Sequence, residues 1–161
     1  MDLTQDLQTT KKEAERNGVD IEIRTFGHFT VFLNERPVHF SRRASKEVLA
    51  YLVHNRGAVV NKQLIVDEVL NIDRYDEKVH NRIHVILVSL KEDLKKAGID
   101  HILYVNNNEY AVITGTFRCD YYEFLDQGLK VLKDDPSTYM ADYEWALNTR
   151  SFLENRYQSI C

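Results

Sequence analysis

The sequence predicts an α+β chain in which short strands come first, three helices follow, a hairpin closes the main domain and a helical tail ends the chain. Apolar residues alternate along residues 21–33 with the period of a strand. From Ala44 to Leu94 they recur instead at spacings of three and four, the period of a helix face. Two short apolar runs then flank the Asn-rich stretch 106–109, as in a β-hairpin.

Composition bounds what such a chain can be. Its 161 residues give room for one ordinary domain and an appendage, and 43% apolar with 29% charged residues is a globular balance. Nine Tyr, seven Phe and Trp145 suffice for a core. No apolar run approaches the roughly 18 residues of a membrane span. The polar opening MDLTQDLQTTKKEAERNG does not have the form of a secretory signal. Cys119 and Cys161 lie far apart with no CxxC partner, against both a disulfide framework and a zinc site. A cytoplasmic protein with no cofactor and no membrane partner is the expectation.

The elements follow in order. Residues 1–18 lack apolar periodicity, end in Asn17-Gly18 and read as a linker, with a helix expected from Gln5 to Arg16. Ile21, Ile23, Phe29, Val31 and Leu33 share one face of three antiparallel strands broken at Gly27 and Asn34–Pro37. Ser41 is the expected cap of a first helix whose stripe is Ala44, Val48, Leu49, Tyr51 and Leu52, ending at Gly57. Asn61 caps a second helix that buries Leu64, Ile65, Val69 and Leu70. A third runs from Asp76-Glu77 to Gly98 on the stripe Val79, Ile83, Ile86, Leu87, Leu90 and Leu94, with Lys95 and Lys96 complementing its dipole. Residues 102–105 and 110–113 pair across Asn106–Glu109. Asp134-Asp135-Pro136 splits the tail into helices near 121–133 and 137–156. There Tyr121, Phe124, Leu125, Leu132, Tyr143, Trp145 and Leu147 are expected to pack against the main domain or a second copy.

Three helices and a hairpin make the winged helix-turn-helix plan, and a small sheet ahead of them marks its OmpR/PhoB variety. The segment Arg24-Thr25-Phe26-Gly27-His28-Phe29-Thr30-Val31, the later Pro37-Val38 and the first-helix run Leu49-Ala50-Tyr51-Leu52 resemble the output domains of SARP-type response regulators. The resemblance covers about residues 20–116, giving a winged-helix DNA-binding domain at 19–116. The tail, 117–161, resembles a shortened remnant of the helical region that follows in such regulators. The resemblance implies that the third helix enters the major groove of double-stranded DNA and the hairpin wing meets the minor groove. It also implies a receiver domain upstream in the full-length protein, so the chain reads as a fragment or a stand-alone output module of a two-component system.

The outward face of the third helix carries Asn81, His84, Val85, Val88, Ser89 and Glu92, with Lys78 and Arg82 at its edges. Asn81 and His84 suit hydrogen bonding at base edges, Arg82 guanine or phosphate, and Val85 a thymine methyl, and Ser89 joins them as a DNA-binding candidate. Phosphate attraction falls to Arg42, Arg43 and Lys46 on the first helix, Lys62 on the second, and Arg74, Lys78 and Arg82 around the third. Asn107 and Asn108 occupy the tip of the expected wing. Against this, net charge is −4, and Val88–Leu94 carries two acids where the family shows arginines in the manner of S-R-L-R-R-A-L. Residues 1–18 hold 3 basic and 4 acidic groups, residues 19–116 hold 13 of each, and residues 117–161 hold 5 and 8. The alternative is therefore a winged-helix protein-interaction module with little or no DNA affinity. Val85 and Val88 fit thymine methyls, a second subunit in a homodimer, or RNA polymerase. His80 and His84 have the i, i+4 spacing of a metal pair but no third ligand, so no metal site is assigned. The Asp120, Glu123 and Asp126 carboxylates are expected as a solvated helix face, and Cys119 as a packing residue. No nucleophile–base arrangement or phosphate loop is present, and no enzymatic activity is expected.

Overall fold

The computed structural model describes residues 19–128 and 135–160, with the side chains of 157–160 left aside. The expected linker 1–18 and its helix, Leu132 and Cys161 lie outside the described residues. The described residues form a mixed α+β fold of two small sheets and five helices. In order these are β1 (Ile21–Arg24), β2 (Thr30–Leu33), β3 (Arg36–Pro37), α1 (Arg43–His54), β4 (Val60–Asn61), α2 (Lys62–Ile65), α3 (Glu77–Lys96), β5 (Leu103–Asn106), β6 (Glu109–Val112), β7 (Arg118–Cys119), α4 (Asp120–Gln127) and α5 (Leu147–Ile160). Among the described residues no helix is long and apolar enough to cross a membrane.

Two compact units emerge. One takes in residues 39–116. Its core is the apolar stripes of α1 and α3: Val48, Leu49, Leu52, Ile83, Leu90 and Leu94 have no exposed surface at all. Each such side chain contributes about 1.5–3 kcal/mol by leaving water. Inside that core, the Ser45 hydroxyl donates to the Ile86 carbonyl at 2.8 Å, joining the two helices. Asn61 caps α2 as expected, accepting from the Leu64 N–H at 2.8 Å. After Ile65 the helix widens into a π turn over Val66–Leu70 that ends at Asn71 in the left-handed region. That turn buries Val66 and leaves Leu64 exposed and Leu70 half-buried, contrary to the expected stripe. The hairpin turns on Asn107 and Asn108, with Asn106 opposite Glu109, and it is not a free ribbon. β4 pairs with β6 in the order β4-β6-β5, with Val60 opposite Tyr110. Gly57, at φ +90, turns the chain from α1 toward β4, where a Cβ would stand 3.2 Å from the Thr114 methyl.

The other unit joins residues 19–38 to those from Phe117 onward. The strand section therefore packs with the tail in one unit. β2 pairs antiparallel with both β1 and β3 as expected, but β1 also pairs in parallel with β7, Ile23 opposite Cys119. The reason lies at Asp120, which opens α4. Its carboxylate accepts from the Thr25 N–H at 2.8 Å, the Thr25 hydroxyl at 2.5 Å, the Phe26 N–H at 3.1 Å and the Tyr121 N–H at 2.9 Å. Burial pushes this carboxyl above the ordinary carboxylate range, and those hydrogen bonds pull it back. Asp120 is thus a clamp, where a solvated acidic face was expected. Cys119 beside it is buried, and its thiol is pushed up to about 12 by burial, as suits a packing residue.

The tail also departs from two plain helices. Residues 136–138 and 144–146 form short 3₁₀ turns, and regular helix begins only at Leu147. Tyr139 bridges to Phe26, Gly27 donates to the Thr138 carbonyl at 2.9 Å, and Met140 donates to the Thr25 carbonyl at 2.7 Å. The backbone groups a helix would use are spent on β1 and its turn. Arg150 then ties α5 down through Nη1, which donates to the carbonyls of Tyr139, Met140 and Tyr143. Tyr121 and Phe124 are buried, with Tyr121 4.4 Å from the Tyr139 ring and Phe26 against Phe124. Tyr143 is buried and stacks on Trp145. Leu125 and Leu147 are exposed, where packing was expected.

Candidate nucleic-acid interface

α3 is the element that can present a reading surface. Asp76 starts it, accepting from the Val79 N–H at 2.9 Å, and Glu77 in the first turn suits the positive end of the dipole. The whole expected stripe, from Val79 to Leu94, is buried. This fixes the rotation of the helix and so decides which residues face out. Asn81, Arg82, His84 and Glu92 are exposed, as is Val85 at 45%, while Val88 is half-buried.

Ser89 departs from expectation. It is only 9% exposed, and its hydroxyl lies 2.9 Å from that of Ser41. Stepping 100° per residue puts Ser89 on the flank of α3 that receives the segment before α1, so it faces protein and not solvent. Ser41 is correspondingly not the cap of α1. Arg42 holds the cap position, in extended backbone and without a side-chain cap. Ser41 instead donates its N–H to Asp93 Oδ2 at 3.0 Å and its hydroxyl to the same oxygen at 3.1 Å.

Two adjoining hollows open to solvent along this flank. The larger, about 700 Å³, is lined by Arg42, Arg43, Lys78, Asn81, Arg82 and Val85, among others. The second, about 540 Å³, is lined by Ser41, Arg42, His84, Val85, Val88, Ser89 and Glu92. The start of α1 and the first half of α3 thus gather four cations, an amide and an apolar side chain. Among the described residues none of Arg42, Arg43, Lys78 and Arg82 forms a salt bridge.

The remaining candidates stand apart. Lys46 is half-buried on α1 and lines neither hollow. Lys62 begins α2, and its N–H donates to the Asn108 carbonyl at 3.1 Å, so Lys62, Asn107 and Asn108 form a second group at the hairpin tip. Arg74 is turned to the carboxylate of Asp76 at 3.4 Å. His80 lies on the opposite edge of α3, its Nδ1 3.2 Å from the Tyr75 hydroxyl. Among the described residues no three His, Cys, Asp or Glu side chains come together as a metal cage. On that same edge Lys91 Nζ sits over the ring of Tyr110, 5.7 Å from its centroid, and ties α3 to the hairpin. Burial, then the nearby Tyr75, pushes the Tyr110 hydroxyl above its ordinary value. The roles of Ser41, Asp93 and Lys91 carry no local sequence signal, because each depends on a partner some 20 to 50 residues away.

No family model matches the sequence, and no curated protein matches it. Among solved structures, the chain is similar to Mycobacterium tuberculosis EmbR in complex with a low affinity phosphopeptide, at 19% identity and a TM-score of 0.58. The match covers 88% of this chain but 41% of that one, so the chain spans about two fifths of its neighbour's length. At that identity the likeness is one of fold, and it assigns no role to any residue.

Proposed function

We propose that the chain is a DNA-binding module of the winged-helix type, the output part of a transcriptional regulator governed by an upstream receiver. The observation that carries this is the hollow lined by Arg42, Arg43, Lys78 and Arg82 around Asn81 and Val85. Cations on one flank of a helix suit phosphates on either side of a groove, and the amide and methyl groups between them suit base edges. In this reading α3 lies in the major groove and the β5–β6 hairpin is the wing. The strand, helix and hairpin order supports it, as does the resemblance of residues 20–116 to SARP-type output domains.

The test is a duplex selected from a random-sequence pool and a second of arbitrary sequence, titrated by fluorescence anisotropy over a salt series. Arg82→Ala is expected to weaken both and to lower the salt slope by about 0.9 if it meets one phosphate. Asn81→Ala is expected to weaken the selected duplex alone, by about 1–3 kcal/mol. No binding to any duplex at low salt would remove the proposal. The interaction-module reading then takes its place, favoured by exposed Val85 and by Glu92 in the wall of the smaller hollow. It predicts self-association or partner binding that Val85→Asp with Val88→Asp abolishes.

A further inference from the structure

The hydrogen bonds around Ser41 bear on its neighbour Arg42. Ser89 and Asp93 are four residues apart on α3, so they lie one above the other on its flank. Ser41 meets both, through its hydroxyl to Ser89 and through its hydroxyl and N–H to Asp93. Residue 41 is thereby pinned to two successive turns of α3. Arg42 follows directly, its backbone extended at φ −130 and ψ 135, and α1 begins at Arg43. Held by Ser41 on one side and the helix on the other, Arg42 lines both hollows beside α3.

We propose that Ser41, Ser89 and Asp93 are positioning residues that hold Arg42 beside α3 for a DNA backbone phosphate. The proposal rests on the DNA-binding reading and deepens it. It has a consequence with an unusual sign. An acid close to a phosphate-binding face ordinarily repels DNA, so deleting one should tighten binding. Asp93 instead strengthens binding, because losing its bonds to Ser41 releases Arg42. Glu92, the adjacent acid, lines the smaller hollow without a hydrogen bond or ion pair among the described residues, and it serves as the control.

The same anisotropy titrations on a pool-selected duplex, with melting temperatures alongside, test this. Asp93→Ala and Ser41→Ala are each expected to weaken binding about fivefold, a coupling within the range for residues in direct contact. Each should lower the salt slope by up to about 0.9, one phosphate contact. Ser41→Thr, which keeps the hydroxyl, should bind as wild type, and Glu92→Ala should bind more tightly. In an Arg42→Ala background, Asp93→Ala should weaken binding no further, an outcome that general loss of structure would not give. If Asp93→Ala melts early, Ser41→Ala, which keeps the backbone bond, supplies the same comparison. Tighter binding by Asp93→Ala, or an equal loss with and without Arg42, overturns the positioning role and leaves the DNA reading standing. A wild-type chain that binds no duplex overturns both.

Discussion

Replacing Asp120 tests how the strand section is fastened to the residues after Phe117. Thr25 is wholly buried and Phe26 is 2% exposed, so Asp120→Ala leaves two N–H groups with no acceptor and no water. Each such donor costs about 1–3 kcal/mol. The Thr25 hydroxyl can rotate, and the Tyr121 N–H sits in the first turn of α4, so these two add little. Relief of the carboxylate's own desolvation offsets part of the loss. The net expectation is about 3 kcal/mol of destabilisation. Asp120→Asn keeps the shape and one carbonyl oxygen but turns an amide N–H toward Phe26, and about 1.5 kcal/mol is expected. Trp145 is the only tryptophan and belongs to the same unit, so its fluorescence in a urea titration reports the right transition. A shift below about 0.5 kcal/mol for Asp120→Ala, or equal shifts for Ala and Asn, would refute the clamp.

Two further outcomes concern the three-helix unit. Burial, and then the charge of Arg56, push the His54 imidazole below its ordinary value, so the folded chain binds that proton less readily than the unfolded one. The associated stability is complete above about pH 6.5 and is lost as pH falls through the folded value. Urea unfolding followed by circular dichroism from pH 7.5 downward should therefore show a slope that His54→Gln flattens, and an unchanged slope counts against it. Ser45→Ala removes the hydroxyl from the Ile86 carbonyl, and a loss of about 1 kcal/mol is expected by the same method. Ser45→Val, which must fit a larger side chain at a fully buried position, should cost more.

What could be read in the sequence was what local period encodes. The α3 stripe was legible residue by residue because burial along one helix follows 3.6-residue geometry whatever packs against it. The β1 and β2 alternation was legible for the same reason. Ser89 was not, because its angle on α3 says only that it leaves the core stripe. Whether that flank meets water is settled by Ser41, 48 residues away. Residues 137–146 were misjudged in the same manner. Their apolar spacing suits a helix, yet Thr138 and Met140 give their backbone groups to Gly27 and Thr25, a pairing no local window contains. Parallel pairing of two residues in β7 with β1 leaves no alternation long enough to see.

Net charge is the remaining point on which sequence and structure pull apart, and it decides how the candidate interface is weighed. A sum of −4 argues against a nucleic-acid partner only if the acids lie where DNA would. Many of them are engaged elsewhere. Asp20 and Glu22 hold Arg118, Asp142 meets His28, and Asp120 is the buried clamp. Asp76 caps α3 and takes Arg74, whereas Asp93 stays beside the candidate face, bound to Ser41. Exposed charges more than about 8 Å apart are largely screened at physiological salt, so a phosphate beside α3 responds to its immediate neighbours and not to the sum. Those neighbours are Arg42, Arg43, Lys78 and Arg82, with Glu92 the one acid lining either hollow. The candidate interface is locally cationic on an acidic chain, and under the proposed DNA-binding function this predicts affinity that is modest, steeply salt-dependent and sensitive to any one of four residues.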